Sequence, residues 1–219
     1  MNADALLIWA RGPGFDLALL VFVAGMLLRL FEILSLGRKR DLAEGRGCGL
    51  TGGLRTILTR TLPRRSVFLK EPLRILNGYL MHIGLFVTIF LFGPHIDFFK
   101  AWFGLSWPYL PSGMVDAVTA VTLLSLTVAL VLRMNNPVLR LISTSGDYVA
   151  WVLTFLPLLT GYLAHNHLLL PYTWMLALHI LSVDLLLVAA PFNKLTHMFG
   201  FLLARWYQGY QAGYRGIAS

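Results

Sequence analysis

The sequence predicts an all-α integral membrane bundle of five helices, N-terminus out and C-terminus in. Three observations predict it. Apolar residues make up 57% of the 219 and charged residues only 13%, whereas soluble domains run near a quarter charged; mean hydropathy is +0.70. Five apolar segments are long enough to cross a bilayer, which takes about 20 residues. Arginine and lysine crowd into alternate connections, as the positive-inside rule requires.

The N-terminal run MNADALLIWARGPGFD lacks a basic leading region and enters a stretch of full spanning length, so no cleavable signal peptide is expected. The first span covers about residues 17–36, with Arg29 and Glu32 one turn apart near its inner end. That spacing fits a helix-end ion pair or a snorkelling arginine. The loop 37–72 is the sizeable soluble part. It is glycine-rich over 45–53 and carries Arg38, Lys39, Arg40, Arg46, Arg55, Arg60, Arg64, Arg65 and Lys70, with Arg74 following. Such a loop sets topology and meets lipid headgroups, and it also offers a docking surface to a cytoplasmic partner.

The second span is expected over 73–98 and the third over 114–132. Arg133 and Arg140 flank the connection to the fourth, expected over 148–168. A short connection then makes a tight antiparallel hairpin with the fifth, 172–190. Helix is expected to continue past Pro191 into a basic amphipathic tail bearing Lys194, Arg205 and Arg215. The opposite side has only Arg11 and Lys100. The whole chain, 1–219, is expected to form one membrane domain without internal repeats. Its formal charge of +8 follows from this topology and does not imply nucleic acid. The single cysteine, Cys48, excludes an internal disulfide, a covalent CxxCH haem and a cysteine-ligated iron–sulfur cluster within the chain.

Function is carried by histidines. His179 and His197 are eighteen residues apart in HILSVDLLLVAAPFNKLTH. On one continuous helix that is five turns, so both rings would share a face, roughly 27 Å apart along the axis. Topology gives each histidine a depth: His82 and His197 inner, His95 and His179 outer. Haem b is held without covalent attachment by imidazoles from facing helices. Two such pairs predict two haems b, with His82, His95, His179 and His197 as axial iron ligands. His95 is thirteen residues from His82, about 140° off its face on an ideal helix, and Gly93-Pro94 supplies a distortion to re-aim it. His165 and His167, in the outer hairpin connection, are within reach as substitutes, although that position favours contact with water.

The stretch HILSVDLLLVAAPFNKLTH, with RGPGFDLALLVFVAGMLLRL, HIGLFVTIFLFGPHI and LRLISTSGDY, resembles the respiratory nitrate reductase gamma-subunit family. The resemblance extends to the related membrane cytochromes b linked to dissimilatory sulfite reductase and heterodisulfide-reductase-like complexes. It covers most of the chain, and its most specific part is the His-x17-His spacing ending in PFNKLTH. It implies five transmembrane helices with two haems b, in the cytoplasmic membrane. It implies electron exchange between membrane quinone or quinol and a cytoplasmic iron–sulfur subunit, with other membrane or periplasmic subunits as further partners. Such a chain is the electron-transfer subunit of a multi-subunit respiratory oxidoreductase. His179 and His197 match the ligands of the family's last helix, and His82 the inner ligand of its second. The nitrate reductase branch has its outer ligand about ten positions after the inner one, where this chain has Phe92. His95 is similar to the equivalent in the sulfite-reductase-linked branch, which argues against a plain nitrate reductase subunit.

Other residues are candidates for support. Arg140, and similarly Lys194, could pair with haem propionates, since a guanidinium suits carboxylates. Asp184 is acidic and mid-span: either a protonated carboxyl hydrogen-bonded between helices, or a proton relay or haem-tuning group. Trp102, Trp107, Tyr109 and Trp174 form an outer aromatic belt able to line a quinone pocket. Either direction of electron flow fits these residues. The competing classes are a haem-free membrane anchor and a transporter subunit, which account for the spans and leave the histidine depths unexplained.

Overall fold

The computed structural model describes residues 2–36, 42 and 44–217. Arg38, Lys39 and Arg40 of the basic loop lie outside the described residues. The elements are helical: α1 (Ala3–Trp9), a π-helical turn (Ala10–Gly14), α2 (Phe15–Ser35), α3 (Gly49–Thr59), α4 (Arg65–Phe68), α5 (Pro72–Phe90), α6 (Gly93–Phe103), α7 (Ser112–Asn135), α8 (Pro137–Ile142), α9 (Ser145–His165), α10 (Tyr172–Ala189) and α11 (His197–Tyr214). Among the described residues five helices are long and apolar enough to cross a membrane: Ala3–Ser35, Pro72–Phe90, Ser112–Asn135, Ser145–His165 and Tyr172–Phe192. The all-α fold and its five spans are as the sequence predicts. These spans leave large apolar side chains uncovered, among them Leu20, Leu27, Phe31, Phe86 and Leu124. Such surface is costly in water and costs nothing against lipid tails, so this is a multi-pass membrane protein.

The chain divides into two compact units, Met1–Val21 with Pro72–Ala189, and Phe22–Glu71 with Ala190–Ser219. In the first, α5 packs on α7, α7 on α9 and α9 on α10, while α1 and the π turn also pack on α10. The hydrophobic effect does not drive helix association in lipid, so small residues and interhelical hydrogen bonds hold these faces together. Gly84 of α5 lies against Thr122, where a Cβ would collide with the hydroxyl. Asn77 donates to Ser125 O at 3.0 Å and accepts from Ser125 Oγ at 2.9 Å. Trp151 of α9 donates to Leu126 O at 2.8 Å. Ala10 of the π turn and Ala177 of α10 are fully buried.

In the second unit α3 and α11 pack antiparallel through glycines. A Cβ on Gly52 would strike the Gly209 carbonyl and the Gly213 backbone, and one on Gly53 the Trp206 side chain. Arg29 of α2 pairs with Glu32 at 2.7 Å, as expected, and its Nε also donates to Pro191 O at 2.9 Å.

Two helices differ from expectation. The second span stops at Phe90 instead of running to 98, and α6 begins at Gly93. Phe92 between them is the extended N-cap of α6 (φ −89°, ψ 128°), with Pro94 in the first turn, where its missing N–H costs nothing. The fifth span does not continue as one helix to His197. Short 3-10 turns at Ala190–Phe192 and Lys194–Thr196 interrupt it, and Asn193, also extended, caps the second by accepting from Leu195 N at 2.7 Å. His179 and His197 therefore stand on different helices, and the single-face argument for them fails at Pro191.

Candidate functional site

The break in the second hydrophobic segment positions His95. Its ring lies on the first turn of α6 and returns to the last turn of α5, where Nδ1 donates to Thr88 O at 2.9 Å. Carbonyls in the last turn of a helix lack intrahelical partners, so the interruption creates the acceptor that orients the ring. Burial holds the His95 imidazole below its usual pKa, against the opposing pull of its carbonyl contacts. His95 lies outside the five spanning helices.

His179 comes from α10 and rests on α9. Its Nδ1 donates to Pro157 O at 3.1 Å and lies 3.4 Å from Thr160 Oγ1, which meets Ser182 Oγ at 3.0 Å. Gly161 makes the seat: a Cβ there would stand 2.9 Å from His179 Cε1 and 3.1 Å from Nδ1. Pro157, Thr160 and Gly161 were not identified from the sequence. A proline and a glycine four residues apart inside a spanning helix were the available signal.

The two rings face one another. His95 and His179 have centroids 6.1 Å apart and planes 16° from parallel. A carbonyl only accepts, so each Nδ1 carries the proton and each Nε2 keeps its lone pair. Among the described residues, none of the hydrogen bonds of either ring uses Nε2. Two imidazoles bound to one metal at about 2 Å each have ring centres about 6 Å apart. The separation is that of two imidazoles able to share one metal, and each Nδ1 rests on a backbone carbonyl, the partner that metal-ligating histidines commonly keep.

The remaining candidates divide clearly. His82 Nδ1 contacts Gly78 O at 2.7 Å and His197 Nδ1 contacts Lys194 O at 2.8 Å, the same carbonyl device. His82 belongs to the first unit and His197 to the second, so their pairing stays a reading of the sequence. His165 directs Nε2 at Asp116 Oδ2, 3.6 Å away, while its ring meets the Phe92 edge. His167 is exposed beside Tyr172. Arg140 is exposed on α8. Asp147 pairs with Arg133 at 3.1 Å and completes the capping box of α9 with Thr144.

Asp184 does not take the hydrogen-bonded form, one of its two expected readings. It is 7% exposed, and both carboxyl oxygens lack a partner among the described residues. The described residues hold no group of three or more His, Cys, Asp or Glu placed for a metal ion. A haem iron asks the protein for two axial ligands.

The chain is 32% identical over 200 residues to a curated protein of Nitratidesulfovibrio vulgaris named simply "Protein", covering 89% of this chain and 88% of that one. No family model matches the chain. No solved structure matches it.

Proposed function

The chain belongs to one family with that Nitratidesulfovibrio vulgaris protein; from the placement of its own histidines we propose that it is a membrane cytochrome b subunit of a respiratory complex. In this reading it passes electrons between the quinone pool and a cytoplasmic iron–sulfur partner through two haems b. It sits in the cytoplasmic membrane with its N-terminus out, following the distribution of arginine and lysine.

The observation that carries the reading is the His95–His179 pair, nearly parallel at 6.1 Å with each Nδ1 tied to a backbone carbonyl. His95 and His179 would hold the outer haem, and His82 and His197 the inner one. A bound haem b supplies reversible one-electron redox chemistry at its iron. The Thr88 and Pro157 carbonyls fix the tautomer and raise ligand basicity. Phe92, edge-on to His95, keeps water from that ring. In the oxidising direction, quinol oxidised on the outer side would release its protons there and a cytoplasmic iron–sulfur partner would receive the electrons; reverse flow would reduce quinone at the same place. A haem-free anchor or transporter subunit leaves four Nδ1–carbonyl contacts without a role.

Single alanine variants test the assignment by reduced-minus-oxidised spectroscopy. His95→Ala and His179→Ala each lose the same one of two b-type centres, and His165→Ala keeps both. Two intact haems in the His95 variant would remove it as a ligand.

A further inference from the structure

We propose that the α3–α11 pair is an interfacial module that binds the phosphate headgroups of anionic phospholipids. The proposal goes beyond the haem reading and does not depend on it.

The pair has two chemically opposite sides. At about 100° per residue, Gly49, Gly52, Gly53 and Thr56 of α3 point at α11. Leu50, Leu54 and Leu58 then lie to one flank, 61%, 61% and 75% exposed. The helices run antiparallel, so the matching flank of α11 falls on the same side and presents Phe199 and Leu203, 57% and 47% exposed. The opposite flank holds a cavity of about 380 Å³ lined by Thr56, Arg60, Arg205 and Gln208. Arg60 and Arg205 make no ion pair among the described residues. The Arg205 guanidinium is steadied over the Phe201 ring, 5.6 Å from its centroid.

The occupant follows from three facts. In sequence α3 lies between two spanning helices, α2 and α5, so a bilayer surface is always at hand. An amphipathic helix of this kind buries its apolar side about 5–10 Å into the interface. That depth leaves the opposite groove at headgroup level, where two guanidiniums with no carboxylate partner among the described residues meet lipid phosphate. The glycine contacts bring the two helices close enough for Arg60 of one and Arg205 of the other to line one cavity.

The test uses the purified full chain, delipidated and offered equal phosphatidylglycerol and phosphatidylcholine, with retained lipid read by native mass spectrometry. Phosphatidylglycerol should be retained selectively, and the selectivity should vanish in 1 M salt. Arg60→Gln with Arg205→Gln should weaken phosphatidylglycerol binding by roughly 30-fold, from two lost contacts with an anionic surface. Arg60→Lys with Arg205→Lys should keep most of it. Leu54→Gln with Leu58→Gln should reduce quenching of a fluorophore on Cys48 by brominated acyl chains. Equal retention of the two lipids, or unchanged selectivity in a folded glutamine variant, would overturn the proposal. So would inorganic phosphate competing as tightly as the lipid, which would make the cavity a site for free anions. If the glutamine variant does not fold, the salt response of the wild-type chain and the lysine variant decide the matter.

Discussion

Gly161→Ala tests whether the His179 seat is part of a ligand site. Alanine in place of glycine stabilises a helix interior by about 0.5–1 kcal/mol, so on propensity alone α9 should gain. The new methyl would instead stand 2.9 Å from His179 Cε1 and 3.1 Å from Nδ1, inside van der Waals contact, with the ring held by Pro157 O. Overpacking of that kind costs about 1–3 kcal/mol, and release of the Nδ1 contact adds about 1 kcal/mol. The net effect is a loss of about 1–3 kcal/mol, relieved if the ring swings off its carbonyl. Loss of an outer-shell partner typically lowers metal affinity 10–100-fold. Haem content and the reduced-minus-oxidised spectrum of purified Gly161→Ala should therefore show the outer centre depleted or shifted and the other unchanged. A variant more stable than wild type, with both centres intact, would refute the reasoning.

Three further outcomes are expected. Asp147→Ala removes the Asp147 half of the α9 capping box and the Arg133 pair and should cost about 1–3 kcal/mol in detergent unfolding, with the spectrum unchanged. Asp184→Ala should stabilise the protein by about 1–2 kcal/mol, because it deletes an unpartnered buried carboxyl; a loss of stability would mean that this carboxyl is engaged in the membrane. Cys48, the sole cysteine, is exposed, and the Thr51 hydrogen bond holds its thiol below the usual pKa. A lowered pKa leaves more thiolate at a given pH, so impermeant maleimide should label it faster near neutrality than a free thiol, and only from the cytoplasmic side. Labelling from the outside would reverse the topology.

The five spans were legible because hydropathy and length dominate in a bilayer. The interruption that aims His95 was legible in Gly93-Pro94, since proline both lacks a donor and constrains its neighbour. The parallel break at Pro191 was read as continuous helix, because proline is tolerated in spanning helices and only the Asn193 cap reveals the stop. The sequence places α3 within the basic loop and α11 in the helical tail, and does not show that the two pack together. The signal of that packing was glycines at small spacings in two distant segments, Gly49, Gly52 and Gly53 with Gly209 and Gly213, which declares itself only when the segments meet. Hydrogen bonds from Nδ1 to backbone carbonyls have no sequence signature, because they depend on where a helix ends or which face a neighbour presents.

The central claim is that four histidines bind two haems. Haem per polypeptide in the purified wild-type chain, with its reduced-minus-oxidised spectrum, tests it most directly. The account predicts a b-type alpha band and about two haems per chain, with low-spin bis-imidazole ligation. A folded chain without haem would contradict it.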